Sequence, residues 1–476
     1  MVIKKPALIL LFLLGIANSK LYAQSSSGPD MTWFKDAKFG MFLHWGLYSQ
    51  TAGNWNGHPS KGGEHFMLYE RIPVKTYAKI ANDFNPVKFD ADAWVKQAKR
   101  AGMKYIVYTS KHHDGFAMYR SASSDYNIVE RTPFKRDPLA ELAKACKKYD
   151  LKLCIYYSLG RDWQDPDVPT NWPVKAGRSN TWDFPDEDSK VFSRYFERKV
   201  KPQVKELLTN YGPIGVMRFD TPELIGKKQS KELREMITDL QPNCLVNGRI
   251  GNGYGDFQIS EQHLAAASKK AWEACITIGK NWGYNRYDST WKTSEQLVRN
   301  LVNVVANNGN LLLNVGPMGN GTFPNWARER LDSIGKWMDI NKEAITGTYA
   351  YSIVSENAGA EAVVEGKKDE QNKMKDAVYD ATPKSTDADI FFTAGDKCIY
   401  VFLRSWKKDA LVVKSLKNLE IKSVALLGSD KKVDWKPGAD GLAITLPKDF
   451  SKISAVPVCT LKVSLKSCYS AGLSKR

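Results

Sequence analysis

The feature that most constrains the fold of this chain is a repeated alternation of amphipathic helical stretches with short apolar runs. The pattern begins with an apolar run at residues 39–45 and continues to a last helical stretch at residues 323–346. Between these, hydrophobic periodicity predicts helix and strand in turn at residues 90–101 and 105–109, 137–149 and 152–157, 189–211 and 214–220, 230–240 and 244–246, and 294–307 and 310–315, with another apolar run at 272–279. Such alternation is typical of a parallel α/β fold, and its length suits a (β/α)8-like TIM barrel.

A doubly wound parallel sheet is the alternative to the barrel. Such a sheet often carries a G-x-G-x-x-G sequence in its first strand-to-helix turn, and this chain has none there. Polar residues instead stand at the ends of nearly every predicted strand. Because the loops that follow the strands of a barrel converge on one face, we expect these side chains to project into a single cup.

The sequence predicts a second domain after residue 348. With 476 residues, of which 43% are hydrophobic, the chain is large enough for two cores. A charged, lysine-rich loop at residues 365–375 precedes short strands separated by turns, at 390–393, 398–404, 410–413, 423–427 and 442–446. We therefore expect a barrel at 24–348 and a β-sandwich domain at 349–476. Trp406 and Trp435 alone do not make a sugar-binding platform, so support of the barrel is its favoured role over carbohydrate binding.

The first 23 residues have the pattern of a cleavable signal peptide. Lys4 and Lys5 precede an apolar run at residues 7–14, and a small residue, Ala23, ends the segment. The run is too short for a membrane span, and no cysteine follows it that could carry a lipid. The sequence therefore predicts an exported protein, periplasmic or extracellular, with no membrane span.

Composition restricts the classes of partner. The formal charge of +17 would fit nucleic acid, but the lysines are spread through solvated faces and no recognition motif is present, so no nucleic acid is expected. The seven cysteines show no C-x-x-C spacing, and neither a zinc site nor a disulfide framework is predicted. The oligomeric state is left open.

Several strand ends together carry a set of residues that suits sugar chemistry. Asp220 ends an apolar run before Thr221-Pro222, and alone it would be read as a turn residue. Its counterparts at other strand ends, and in one later loop, are His44, His112, His113, Tyr156, Arg249, Glu261 and Trp282. Paired carboxylates can serve as nucleophile and general acid, and the other side chains supply the hydrogen bonds and apolar faces that bind a sugar.

Two other kinds of site are disfavoured. The sequence His112-His113-Asp114 resembles a metal site, but adjacent strand residues point to opposite sides and no third histidine joins them. A serine hydrolase would need a G-x-S-x-G turn, which is absent. We therefore expect no metal and no cofactor.

The residues 31–347 resemble the α-L-fucosidases of glycoside hydrolase family 29. The resemblance is carried by Phe-Gly-Met-Phe-Leu-His-Trp-Gly at 39–46, Lys-His-His-Asp-Gly-Phe at 111–116, Tyr-Tyr-Ser at 156–158 and Gly-Asn-Leu-Leu-Leu-Asn-Val-Gly-Pro at 309–317. The tail beyond them is similar to the C-terminal sandwich of that family. An exo-acting enzyme that releases terminal α-L-fucose from oligosaccharides or glycoconjugates is what the resemblance implies.

The resemblance also implies roles for individual residues. Asp220 corresponds to the nucleophile and Glu261 to the acid/base, with Glu273 as its rival because the acid/base has no fixed place in this family. The implied sugar-binding residues are His44, Glu64, His112, His113, Tyr156, Arg249 and Trp282. The family retains anomeric configuration, which requires the two carboxyl groups to lie about 5 to 5.5 Å apart.

The chain departs from the family pattern at the predicted rim of the pocket. Arg218 replaces a common aromatic residue, Thr221-Pro222 replaces a frequent glycine, and His65 stands where tryptophan is often found. These departures leave both carboxylates in place but bear on the linkage and on the group attached to fucose. Two alternatives stay open: an inactive fucose-binding barrel, and a glycosidase for a related deoxy or galacto-configured sugar.

Overall fold

The computed structural model describes residues 28–169, 180–264, 270–356, 390–403, 410–445, 447 and 458–469. The predicted signal peptide at residues 1–23, the lysine-rich loop at 365–375 and Trp406 lie outside these residues. In the described part of the chain, no helix combines the length and apolar character that a membrane crossing requires.

Eight parallel strands form the barrel predicted from the sequence. They are β1 (Phe39–Leu43), β2 (Tyr105–Lys111), β3 (Lys152–Ser158), β4 (Val216–Asp220), β5 (Leu245–Val246), β6 (Gln258–Glu261), β7 (Trp272–Thr277) and β8 (Asn310–Val315). Their order in the sheet is β5-β4-β3-β2-β1-β8-β7-β6. The two end strands meet where the Asp256 N–H donates to the Val246 carbonyl at 2.7 Å, so the sheet curls back on itself.

The barrel interior is a packed hydrophobic core. Phe42, Tyr105, Tyr156 and Leu312 point inward from four strands and are buried. Phe34, from the short helix Thr32–Ala37, closes the amino-terminal end of the barrel and packs on Phe257 with ring centroids 4.5 Å apart. With that end filled, the opposite end is the one open to a ligand.

The described residues include six longer helices. They are α1 (Ala91–Arg100), α2 (Pro138–Tyr149), α3 (Lys201–Asn210), α4 (Lys227–Leu240), α5 (Ser294–Ala306) and α6 (Asn325–Asn341). Asp90 caps α1 by accepting from the Ala93 N–H, and Asp137 caps α2 ahead of Pro138. Shorter helices are Leu47–Thr51, Phe66–Tyr69, Val74–Tyr77, Ile128–Arg131 and Phe192–Tyr195.

The barrel differs most from the predicted elements in three places. The predicted helix at 189–211 is divided by a π turn, Phe196–Val200, ahead of α3. The predicted helix at 323–346 ends at Asn341 and continues as the 3-10 turn Lys342–Ala344. Strand β6 was not predicted as a strand, because its half-exposed sequence Gln-Ile-Ser-Glu lacks an apolar run.

The C-terminal region contains two antiparallel sheets. One has the order β9-β10-β11-β16-β13 and the other β12-β15-β14, with β9 Tyr349–Glu356, β10 Ile390–Gly395, β11 Cys398–Leu403, β12 Ala410–Val413, β13 Ile421–Leu426, β14 Asp434–Gly438, β15 Gly441–Thr445 and β16 Cys459–Leu465. Both sheets contribute to one hydrophobic cluster, which is the arrangement of a sandwich. The sandwich contacts α6, because the Trp337 indole N–H donates to the Val458 carbonyl at 2.7 Å.

Candidate active site

A pocket of about 240 Å³ opens at the carboxyl ends of the barrel strands. Of the predicted site residues, those that line it are His44, His112, His113, Tyr156, Asp220, Arg249, Glu261 and Trp282. Its volume is below the roughly 300–1,000 Å³ of pockets for drug-sized ligands, so it suits one small group. The structure thus brings together residues that are up to 238 positions apart, from His44 to Trp282.

Asp220, the last residue of β4, is the most heavily hydrogen-bonded carboxylate in the pocket lining. Its Oδ2 accepts from the Tyr156 hydroxyl at 2.8 Å, and its Oδ1 accepts from Arg249 Nη1 at 2.6 Å and from the Thr221 N–H at 2.9 Å. Burial alone would raise the pKa of Asp220, but the cationic Arg249 and the Tyr156 hydroxyl hold it well below its usual range. Asp220 is therefore an ionised carboxylate at neutral pH.

Arg249 joins Asp220 to Glu261, a second carboxylate of the pocket lining. It lies in the 3-10 turn Gly248–Ile250 after β5, and its second terminal nitrogen, Nη2, donates to Glu261 Oε2. One guanidinium group therefore contacts an oxygen of both Asp220 and Glu261. Glu261 ends β6 with 33% of its side chain exposed, which allows proton exchange with solvent.

Glu273, the rival acid/base, is directed into the barrel interior and does not line the pocket. It is 1% exposed and lies near the amino end of β7. Its Oε1 accepts from Arg218 Nε at 3.1 Å and its Oε2 from the Tyr105 hydroxyl at 2.9 Å. Burial raises the pKa of Glu273 despite these two partners, but neither oxygen is free to reach a leaving group.

His44 lines the pocket next to β8, and Glu64 supports lining residues without lining the pocket itself. His44 Nδ1 lies 2.7 Å from the Asn314 side-chain oxygen, which fixes the orientation of the imidazole ring. Glu64 is 4% exposed and does not itself line the pocket; its Oε2 accepts from the Gly283 N–H at 3.1 Å and its Oε1 lies 3.0 Å from His65 Nδ1. Glu64 therefore holds His65, which does line the pocket, and the loop that carries Trp282.

The histidine pair lies beyond the end of β2, which stops at Lys111. Both rings line the pocket, 4.2 Å apart, so the expectation that the two side chains point to opposite sides of a strand does not apply. His113 Nδ1 lies 2.6 Å from the Ser158 hydroxyl. His112 Nδ1 is buried and has no hydrogen-bond partner among the described residues, which leaves it available for a ligand hydroxyl.

Burial keeps His44, His112 and His113 neutral. It lowers the pKa of His44 to about 4 and that of His112 and His113 well below the usual range. Such a histidine binds fewer protons when folded than when unfolded, so its stabilising effect is lost as the pH falls below the unfolded pKa of about 6.5. Burial raises the pKa of Asp114 to about 6. This carboxyl group therefore binds more protons in the folded than in the unfolded protein, and it stabilises the fold as the pH falls.

We expect His44→Gln to reduce the acid sensitivity of the fold. The thermal midpoint of the wild type should decrease when the pH is lowered from 7 to 5. The decrease should be smaller for this variant, and the difference should correspond to at most about 2 kcal/mol of unfolding free energy. His58→Gln is the control, since the His58 side chain is 55% exposed. Thermal melts of the three proteins at both pH values measure this, and identical falls in all three would contradict the assignment.

Several lining residues were not predicted as site residues. They are Phe42, His65, Arg161, Arg218, Pro222, Glu223, Thr221 and Cys275. His65, Arg218, Thr221 and Pro222 were noted only as departures from the family pattern. Arg161 and Glu223, whose nearest side-chain atoms are 3.9 Å apart, lie in loops after β3 and β4, and no sequence pattern marks them. Among the described residues, no group of three or more His, Cys, Asp or Glu is placed to hold a metal ion.

Comparison with known proteins gives the family. The pattern of the family described as alpha-L-fucosidase matches residues 18–343, and that of the alpha-L-fucosidase C-terminal domain matches 384–464. A putative alpha-L-fucosidase of Caenorhabditis elegans is 29% identical, with 93% of this chain and 91% of that protein covered.

Solved structures agree with this result. Alpha-L-fucosidase isoenzyme 1 from Paenibacillus thiaminolyticus has a TM-score of 0.77 and 33% identity, covering 92% of this chain and 99% of that one. An alpha-L-fucosidase from Lactobacillus casei in complex with α-L-fucose has a TM-score of 0.61 and 41% identity, covering 65% of this chain and 99% of that one. The chain therefore belongs to the α-L-fucosidases of glycoside hydrolase family 29.

Proposed function

We propose that this hydrolase is an exported, exo-acting α-L-fucosidase that retains anomeric configuration, with Asp220 as nucleophile and Glu261 as general acid/base. The observation that carries the proposal is the contact of one guanidinium group, that of Arg249, with both carboxylates at the pocket. This contact keeps the two carboxylates close to one another, as the paired carboxylates of a glycosidase must be. Retention of configuration is what the family resemblance implies.

The geometry supports different catalytic roles for Asp220 and Glu261. Asp220, ionised and oriented by Tyr156 and Arg249, attacks the anomeric carbon, while Glu261 gives a proton to the departing glycosidic oxygen. A fucosyl ester on Asp220 results. Glu261, now a carboxylate, removes a proton from water, which attacks the same carbon and releases α-L-fucose and free Asp220.

The remaining pocket residues suit a single fucosyl unit. Uncharged His44, His112 and His113 can hydrogen-bond to hydroxyl groups without attracting a counter-ion. Phe42 and Trp282, with ring centroids 5.9 Å apart, provide an apolar surface for the carbon face and methyl group of a deoxy sugar. A small pocket of this kind favours release of terminal residues over cleavage within a chain.

The substrate proposal is tested by a panel of aryl glycosides. We expect turnover of aryl α-L-fucoside, with at least about a hundredfold lower kcat/KM for the β-L-fucoside and for the α-L-galactoside, which replaces the methyl group by a hydroxymethyl group. Faster turnover of the galactoside would favour the enzyme for a related sugar. Binding of fucose with no turnover of any glycoside would favour the inactive barrel. This alternative is the weaker one, because the chain belongs to a family of hydrolases.

Export is proposed from the amino-terminal sequence alone. Lys4, Lys5 and the apolar run at residues 7–14 support a cleavable signal, with a mature chain that begins at Gln24. We also propose a barrel domain at 24–348 and a sandwich domain at 349–476. Mass measurement of the protein recovered outside the cytoplasm tests the first proposal, since an intact Met1 would contradict cleavage.

A further inference from the structure

Thr221, the residue directly after the proposed nucleophile, has an unusual backbone conformation. Its φ and ψ are 56° and 66°, in the left-handed region. A β-branched residue is rarely found there, because its Cβ substituents crowd the backbone. Thr221 is also 5% exposed and lines the pocket, so this strain is located at the site itself.

The peptide group that joins Asp220 to Thr221 directs its N–H to the Asp220 side chain. This N–H donates to Asp220 Oδ1 at 2.9 Å, on the same oxygen that accepts from Arg249. Hydrogen bonds from backbone N–H groups favour the ionised form of a carboxylate and fix its rotation. The left-handed φ of Thr221 brings its own side chain next to the carbonyl of the same peptide group.

The Thr221 hydroxyl fastens this turn to the loop after β3. It donates to the Asp220 carbonyl at 2.7 Å and accepts from the Gly160 N–H at 3.3 Å. The same Asp220 carbonyl accepts from the Leu159 N–H at 3.0 Å. The loop after β3 is therefore linked both to the Asp220 carbonyl and to the residue that follows it.

Gly160 allows the close approach that this link requires. A Cβ atom added at Gly160 would lie 2.1 Å from the Thr221 carbonyl oxygen, so no other residue fits without movement of the backbone. Two loops of separate strands thus meet backbone to backbone beside Asp220. Such contact gives the turn a support that a flexible side chain could not provide.

We propose that Thr221 is a positioning residue whose hydroxyl holds the Asp220–Thr221 peptide group in the orientation that directs its N–H to the nucleophile. The inference rests on the proposed role of Asp220. Glycine is frequent at this position in the family, and it can adopt the left-handed conformation without strain. In this chain the threonine hydroxyl stabilises that conformation through its hydrogen bond with the Gly160 N–H.

The test compares Thr221→Val, which keeps the branched shape and loses the hydroxyl, with Thr221→Ser, which keeps the hydroxyl. For the valine variant we expect kcat/KM on an aryl α-L-fucoside to fall on the order of tenfold, mainly through kcat. The acidic limb of its pH profile should move to higher pH, because a carboxylate that loses an N–H donor is protonated more easily. The serine variant should recover most of the wild-type rate.

Two further variants keep the test decisive. Thr221→Ala also lacks the hydroxyl and replaces the valine variant if that protein does not fold. Thr393→Val is the matched control, because Thr393 is a fully buried threonine of the sandwich domain whose hydroxyl donates to the Ala344 carbonyl at 2.8 Å. It should lose stability while keeping the wild-type pH profile.

The outcomes separate this inference from the proposed function. An unchanged rate or an unshifted acidic limb in Thr221→Val, or a serine variant as slow as the valine variant, would overturn the positioning role. If Asp220→Gly is inactive while Thr221→Val is fully active, only the positioning role fails. If Asp220→Gly keeps its activity, the proposed nucleophile fails independently of Thr221.

Discussion

Asp220→Gly should lower kcat for an aryl α-L-fucoside by roughly 10³-fold or more, because the covalent step loses its nucleophile. Steady-state rates at neutral pH measure this loss. The glycine variant leaves space beside the anomeric carbon, so added azide should restore turnover and give β-L-fucosyl azide. The protein should stay folded, since Asp220 keeps 17% of its side chain exposed and is not part of the core.

Asp256→Asn is the matched control for this experiment. Asp256 is similarly buried, with 13% of its side chain exposed, and also pairs with an arginine, Arg234, at 2.7 Å, but it does not line the pocket. We expect it to keep its kcat with some loss of stability. Wild-type activity in Asp220→Gly would remove Asp220 from the mechanism, whereas an equal loss in both variants would indicate structural damage.

Glu261→Ala should behave as an acid/base variant. Because a leaving group of low pKa departs without protonation, activity on a good aryl leaving group should fall much less than activity on a natural glycan, which should fall by about 10² to 10⁴. Azide should raise the rate of the aryl substrate, since it attacks the fucosyl ester without base assistance.

Glu273→Ala should instead show a loss of stability. It removes the partner of Arg218, which is 2% exposed, and breaking a buried ion pair costs about 3–5 kcal/mol. Denaturant unfolding of this variant and of Glu273→Gln measures that cost. If azide accelerates Glu273→Ala and not Glu261→Ala, then Glu273 is the acid/base and the assignment of Glu261 is wrong.

The sequence predicts the barrel well where strands are buried on both faces. Strand β8 (Asn310–Val315) has the predicted bounds, because both of its faces are covered and its sequence is almost wholly apolar. Strand β6 (Gln258–Glu261) was missed, since it is half exposed at the end of the sheet and has no periodic signal. Its identification required the pairing with β7, which only the fold provides.

Site residues, like strands, could be recognised from the sequence where the local pattern is regular and not where it is irregular. Asp220 and Tyr156 were found because they lie at or near the carboxyl ends of recognisable strands. Glu64 came only from the family resemblance, because it lies in a 3-10 turn of a long loop with no regular pattern. Arg161 reaches the pocket through the packing of loops, a long-range result that no local pattern encodes.

The different positions of the two acid/base candidates in the barrel are also visible only in the structure. Glu261 and Glu273 lie on neighbouring strands, and Glu261 pairs in register with Cys275, two residues beyond Glu273. That offset places Glu261 at the open end of the barrel and Glu273 inside it. Strand register, which the sequence does not specify, therefore separates a residue that can reach a leaving group from one that supports the barrel.

The most direct test of the central claim is to trap the covalent intermediate and locate it. A 2-deoxy-2-fluoro-α-L-fucosyl fluoride should label the protein with one sugar, because its 2-fluorine slows both formation and hydrolysis of the fucosyl ester while its good leaving group speeds formation alone. Peptide mass mapping of the labelled protein should place the sugar on Asp220. A label on another carboxylate, or no label together with β-L-fucose as the first product from an ordinary fucoside, would contradict the account.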